Sequence, residues 1–190
     1  GSWFDRSYSD ARVPTLRAAL EAVKGRGRVL IELKYYGHDD RLEERVADLV
    51  EETDMVDQVM IMSLKRAAVA RMRSLRPDWP MGILAARAIG DLSALDAEFL
   101  AVNTGQVSGR LLRRAHASGK RVFVWTVDDP RAMSRMISMG VDGLITNRPA
   151  LARQVMEQRE TLSLSERLLL WLSDRFRLDS FDLTADPAEA

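Results

Sequence analysis

At 190 residues, 46% hydrophobic and 29% charged, the chain has enough material for one well-cored domain and excludes a disordered or fibrous protein. Lys plus Arg and Asp plus Glu both number 28, so no charge excess points to nucleic acid. There is no cysteine, which excludes disulfides and thiolate sites. No signal peptide stands out, and no apolar run approaches the roughly 20 residues of a spanning helix. The compartment stays open.

Residues 1–13 show no periodicity. Pro14 opens a helix with Leu16, Leu20 and Val23 on one stripe and Gly25 and Gly27 as its stop. The run Val29-Leu30-Ile31-Glu32-Leu33-Lys34 follows. Side chains alternate along a strand, so Leu30, Glu32 and Lys34 share one face, and Val29, Ile31 and Leu33 the other. A mostly apolar run of this kind predicts a strand buried on both faces. Burying a carboxylate and an ammonium there is costly unless each is paired or bound. Glu32 and Lys34 are therefore either a structural ion pair or functional groups.

Tyr35-Tyr36-Gly37-His38-Asp39-Asp40 reads as a loop into a helix over about 40–53, with Leu42, Val46, Leu49 and Val50 on its apolar face. The same unit then recurs. Val59–Ser63 is a strand followed by a basic helix through about Arg76. Met81–Ala86 precedes a short helix near Leu92–Glu98. Phe99–Asn103 precedes a helix from Ser108 to Ser118. Arg121–Thr126 precedes a helix from Asp129-Pro130 to Gly140, and Gly143–Thr146 precedes Pro149. What repeats is the strand–helix order, which implies right-handed crossovers and a parallel sheet.

A doubly wound sheet and a (β/α) barrel both fit that order. Glu32, Lys34, Ser63, Asn103, Trp125 and Thr126 all fall at the C-terminal ends of strands, the rim on which barrels build active sites. No glycine fingerprint opens the first helix. The expected fold is an incomplete TIM-type (β/α) barrel of about six units, against the usual eight strands and roughly 250 residues.

Asn103 can hydrogen-bond a substrate or cap the next turn. Trp125 is a rim aromatic or ordinary barrel filling. Ser63 is expected to be a rim or cap residue. His116 falls on a helix as a surface or packing residue. The methionines of 133–139 fall at helical spacing and suit core packing. Arg110, Arg113, Arg114 and Lys120 form a solvated face. Ser163-Leu164-Ser165-Glu166 fits a capping box before a helix through about Arg177, and Asp179–Ala190 is acidic and loose. The expected organisation is a partial barrel over 1–160, then a C-terminal helix and tail over 161–190.

Gly1-Ser2-Trp3-Phe4, Pro14-Thr15-Leu16, Ile31-Glu32-Leu33-Lys34, Phe99-Leu100-Ala101-Val102-Asn103, Val124-Trp125-Thr126-Val127 and Gly143-Leu144-Ile145-Thr146-Asn147-Arg148-Pro149, in this order, resemble the glycerophosphodiester phosphodiesterases over about residues 1–156. The resemblance implies hydrolysis of a glycerophosphodiester to glycerol 3-phosphate and an alcohol, with a divalent cation, Ca or Mg, and two histidines. It implies that Glu32 is a carboxylate ligand of the metal, that Lys34 lies near the phosphate and that Trp125 lines the glycerol pocket. A hard cation suits a carboxylate oxygen, and an ammonium can meet charge building on phosphoryl oxygens. The run Tyr35-Tyr36-Gly37-His38-Asp39 is similar to members fused to a membrane-embedded region, which implies a tethered parent.

The His-Arg-Gly strand and the following acidic strand of the family have no counterpart among residues 1–190. The histidines of this chain are His38, in a loop, and His116. The expectation is therefore weak or absent cation binding by the chain alone, a partial phosphate clamp without an acid–base pair, and self-association through exposed strand edges. A catalytically inactive phosphate-ligand binding module on the same barrel is the alternative.

Overall fold

The computed structural model describes residues 1–37, 41–87, 90–162 and 165–166. They fall into two compact units, the first made of Gly1–Ala85 and Leu95–Phe99, the second of Ala86–Ala94 and Leu100 onward. His38, Asp39 and Asp40, and the expected C-terminal helix and tail, lie outside the described residues apart from Ser165 and Glu166.

In the first unit, α1 (Leu16–Val23) is capped by Thr15, whose side-chain oxygen accepts from the Ala18 amide at 3.2 Å. Then come β1 (Val29–Glu32), α2 (Leu42–Glu52), β2 (Val59–Ser63), α3 (Arg66–Leu75) and β3 (Met81–Ala85). The strands lie in chain order, β1-β2-β3, and both pairings are parallel. Register sets Val29 opposite Val59 and Glu32 opposite Met62, then Ile61 opposite Met81 and Ser63 opposite Ile83. Parallel neighbours need a crossover; α2 supplies the one from β1 to β2 and α3 the one from β2 to β3. Leu20, Val46, Val50 and Met72 on these helices are all buried. Outside them run ion pairs, Arg71–Glu44 at 2.5 Å and the Arg76–Glu51 and Arg17–Glu52 pairs.

The apolar runs of β2 and β3 are buried along their whole length. The strand β1 departs from expectation. Ile31 and Leu33 are buried, but Glu32 and Lys34 on the other face are exposed. In its unit β1 is an outermost strand, and its C-terminal end is open to solvent on the side of Glu32. The predicted cost of burying Glu32 and Lys34 therefore does not arise. The short helix expected over Leu92–Glu98 is a single 3-10 turn, Leu92–Ala94. Asp91 accepts from both the amide and the hydroxyl of Ser93, at 3.0 and 2.5 Å, a local turn that competes with helix. Residues 95–98 bend toward the start of β4 without helix, and the Glu98 amide donates to the Met81 carbonyl at 2.9 Å.

The second unit carries β4 (Phe99–Asn103, of which Phe99 belongs to the first), α4 (Gly109–Ala117), β5 (Arg121–Trp125), α5 (Pro130–Met139), β6 (Gly143–Leu144) and α6 (Pro149–Thr161). Its strands also follow chain order. Phe123 pairs with Gly143 and Val124 with Leu144, in parallel. Asp129 caps α5, accepting from the Ala132 amide at 2.8 Å with Pro130 in the first turn. Gly140 ends it in the left-handed conformation. Met133 and Met136 pack in the core, as their spacing predicts.

Candidate active-site rim

The end of β1 presents two opposite charges to solvent from one face. Glu32 and Lys34 flank Leu33, which is 2% exposed and anchored in the core. Both backbone groups of Leu33 are held from β2. Its amide donates to the Met62 carbonyl at 2.8 Å, and its carbonyl accepts from the Ser63 hydroxyl at 2.7 Å. The same hydroxyl oxygen accepts from the Lys65 amide at 3.1 Å. Lys65 Nζ stands 4.3 Å from the centre of the Tyr35 ring, and the Tyr35 hydroxyl donates to the buried Glu43. Lys34 Nζ lies 5.9 Å from the Tyr36 ring centre, at the outer limit of a cation–π contact. The first unit thus offers an exposed carboxylate and an exposed ammonium, two residues apart, on a backbone pinned at its midpoint.

The second unit carries Trp125 and Asn103. Trp125 ends β5, half-buried on the face shared with Arg121 and Phe123, while Val122 and Val124 are fully buried. Its indole N–H donates to the Ala101 carbonyl at 3.2 Å, which satisfies the polar edge of the ring. Asn103 uses its side-chain oxygen to accept from the Gly105 amide at 3.0 Å, capping the 3-10 turn Thr104–Gln106. Of the two uses open to Asn103, the turn cap is the one observed.

Beyond Trp125 a polar clasp closes the end of the sheet. Val127 donates to the Ile145 carbonyl at 2.9 Å. One Asp128 carboxylate oxygen accepts from the Thr146 hydroxyl at 2.8 Å and the Asn147 amide at 2.7 Å, and the other from the Asn147 side chain at 2.8 Å. These bonds, the Asn147 side chain foremost, hold the Asp128 carboxyl below its ordinary value, with the Arg148 charge adding to them. Arg148 also donates to the Asp128 backbone carbonyl at 3.4 Å. His116 on α4 is paired with Asp142 at 2.8 Å, and Asp142 also accepts from the Val122 amide. That is the surface packing role expected of it.

Among the described residues no three His, Cys, Asp or Glu side chains come together to hold a metal ion. Glu32 supplies one hard oxygen donor, whereas a selective calcium or magnesium site uses several. The described donor set by itself does not fit such a site.

The model of the glycerophosphoryl diester phosphodiesterase family matches residues 1–151. The chain belongs to this family. A glycerophosphodiester phosphodiesterase of Caldanaerobacter subterraneus is 26% identical over 159 residues, covering 78% of this chain and 64% of that protein. The crystal structure of a glycerophosphodiester phosphodiesterase from Parabacteroides distasonis superimposes with a TM-score of 0.69 at 25% identity, over 78% of this chain and 66% of that one. A phosphodiesterase of Oleispira antarctica, solved with the product sn-glycerol-3-phosphate, has a TM-score of 0.70 at 21% identity, over 83% and 66%. The chain thus spans just under two thirds of the length of these relatives. The fold is the expected incomplete (β/α) barrel of the phosphodiesterase kind, with six strands among the described residues.

Family membership leaves two features that sequence reasoning did not reach. The Ser63 clamp on Leu33 joins positions 30 residues apart, and the Asp128 clasp joins positions about 19 apart. The one signal was a polar residue closing each apolar run.

Proposed function

We propose that Glu32, Lys34 and Trp125 form part of a glycerophosphodiester phosphodiesterase site, at which a glycerophosphodiester is cleaved into glycerol 3-phosphate and an alcohol once the rest of the barrel completes it. Water adds to phosphorus, the bond from phosphorus to the alcohol oxygen breaks, and the departing oxygen takes up a proton. The observation that carries this reading is the exposed Glu32–Lys34 pair on one face of β1, within the segment that matches the family. The product bound to the Oleispira antarctica relative supports the substrate class.

In this reading Lys34 binds a phosphoryl oxygen as a mobile point charge. Glu32 is the chain's carboxylate toward a divalent cation, which when bound would polarise the phosphoryl group. Trp125 offers an apolar ring surface to the glycerol carbons, with its N–H already engaged by Ala101. Asn103 acts through the turn that it caps. By the family resemblance the acid and base are histidines of two motifs that have no counterpart among residues 1–156. The matched relatives are named as phosphodiesterases, which favours the enzyme over an inactive binding module.

Two further readings accompany this one. Self-association is supported by the outermost position of β1 in its unit and by Trp3 and Val13, 89% and 94% exposed. Tethering of a parent protein to a membrane rests on the Tyr35–Asp39 run; no helix among the described residues is long and apolar enough to cross a bilayer.

The test is calorimetric titration of the 190-residue chain with glycerol 3-phosphate in the presence of magnesium or calcium. Loss of one charge-assisted hydrogen bond is worth about 1.5–3 kcal/mol, so Lys34→Met is expected to weaken binding at least about tenfold. Equal binding by wild type and Lys34→Met removes Lys34 from the phosphate site.

A further inference from the structure

We infer that Ser63 is a positioning residue for the Glu32–Lys34 pair. The inference rests on the reading that Lys34 meets the substrate phosphate. Ser63 is fully buried at the C-terminal end of β2. A buried hydroxyl without partners is costly, and here each capacity is used across the strand end. It donates to the Leu33 carbonyl at 2.7 Å and accepts from the Lys65 amide at 3.1 Å. Leu33 is the residue between the two charges. Its amide is already taken by Met62 and its side chain by the core, so the Ser63 bond completes a three-point fixation of the backbone that carries Glu32 and Lys34.

The rim needs that fixation because the regular strand stops at Glu32. Past that point the Leu33 amide still bonds the Met62 carbonyl, and Lys34 lies one residue further on. The Ser63 hydroxyl substitutes for the next ladder bond. It also ties Leu33 to the start of α3, where Lys65 is the N-terminal cap residue and has no side-chain cap bond of its own. Lys65 in turn lies over the Tyr35 ring, so the turn after Lys34 is held from the same residue. A functional pair on a frayed strand end would sample many positions. Precise placement depends on this kind of supporting bond.

The experiment compares wild type, Lys34→Met, Ser63→Ala and Ser63→Thr as full chains, with two readouts. The first is the affinity for glycerol 3-phosphate with magnesium present. The second is the 15N order parameter of the Glu32 and Lys34 amides. Supporting partners of a site group typically account for 10–100-fold in affinity, so Ser63→Ala is expected to bind about tenfold more weakly and Ser63→Thr to recover. In Ser63→Ala the two order parameters are expected to drop from about 0.85 toward about 0.6, those of the β2 core staying high. A Ser63→Ala chain that melts earlier yet binds as tightly as wild type, while Lys34→Met does not, overturns the positioning role and leaves the phosphate reading intact. Should wild type itself not bind, the phosphate reading fails. The order parameters then decide alone, and unchanged values in Ser63→Ala overturn the inference. Ser63→Cys, with similar volume and only a weak S–H donor, carries the same two readouts if Ser63→Ala does not fold.

Discussion

Asp128 shows how much a single carboxylate can organise without being buried. It ties the loop after β5 to the turn that opens α6, and the bonds it accepts hold its carboxyl below the ordinary value. A group whose pKa is depressed by folding contributes stability that is complete above its unfolded value and is lost as pH falls through the folded value. Asp128→Asn cannot titrate and turns a donor toward the Asn147 amide group. Thermal melts from neutral pH downward are expected to show the variant below wild type at neutral pH, with the gap closing as pH falls through the lowered Asp128 value. A gap that stays constant to the acid limit would show that the carboxylate charge is irrelevant to the clasp. At this scale the sequence was informative where chemistry follows a local period. Alternation put Glu32 and Lys34 on one face, and that holds. It was uninformative where partners are distant in sequence, as at Ser63 and Asp128, because no spacing rule links residues brought together by folding alone. Asn103 was legible only as a pair of options, since a short amide at a strand end serves a turn or a ligand equally well.

The helices and strands were legible almost throughout, for identifiable reasons. Pro130 and Gly140 bracket α5, and Ser108 caps α4 by accepting from the Leu111 amide at 3.2 Å. The continuous apolar runs of β2, β3 and most of β4 became buried strands. Besides the 3-10 turn that replaces a helix at Leu92–Ala94, the departure is at β1, whose apolar run predicts two covered faces but whose end is exposed at Glu32. Composition cannot distinguish a central strand from an outermost one, because both need apolar residues on the face toward the helices. Its position has a consequence. Within its unit β1 pairs with β2 on one side, and an unpaired row of backbone groups is a template for another chain. Trp3, Phe4, Val13 and Tyr36 in the same unit are also exposed. Sedimentation velocity at micromolar concentration is expected to show species larger than the monomer, with binding of a hydrophobic dye. One sharp monomeric boundary and no dye binding would contradict this.

Across the whole chain, the strand–helix alternation and the ordered set of short motifs were enough to indicate the barrel and the family. The family match over residues 1–151 and the superposition on solved phosphodiesterases agree with both. Activity is a different matter, because residues with the right chemistry do not make a complete site. In the proposed site Glu32, Lys34 and Trp125 would contribute a carboxylate, an ammonium and an aromatic, His116 is held by Asp142, and hydrolysis also needs an acid and a base. The central claim, that Glu32 belongs to a phosphodiesterase active site, is tested most directly by turnover. The opening strands of a complete family member, fused ahead of Gly1, would be assayed for glycerol 3-phosphate release from glycerophosphocholine and glycerophosphoethanolamine with magnesium or calcium. The account predicts no measurable release by the 190-residue chain alone, turnover by the fusion, and a fall of at least about 10²-fold in the fusion carrying Glu32→Gln. Turnover by the fusion that is indifferent to Glu32→Gln, or turnover by the chain alone that His38→Ala abolishes, would contradict it.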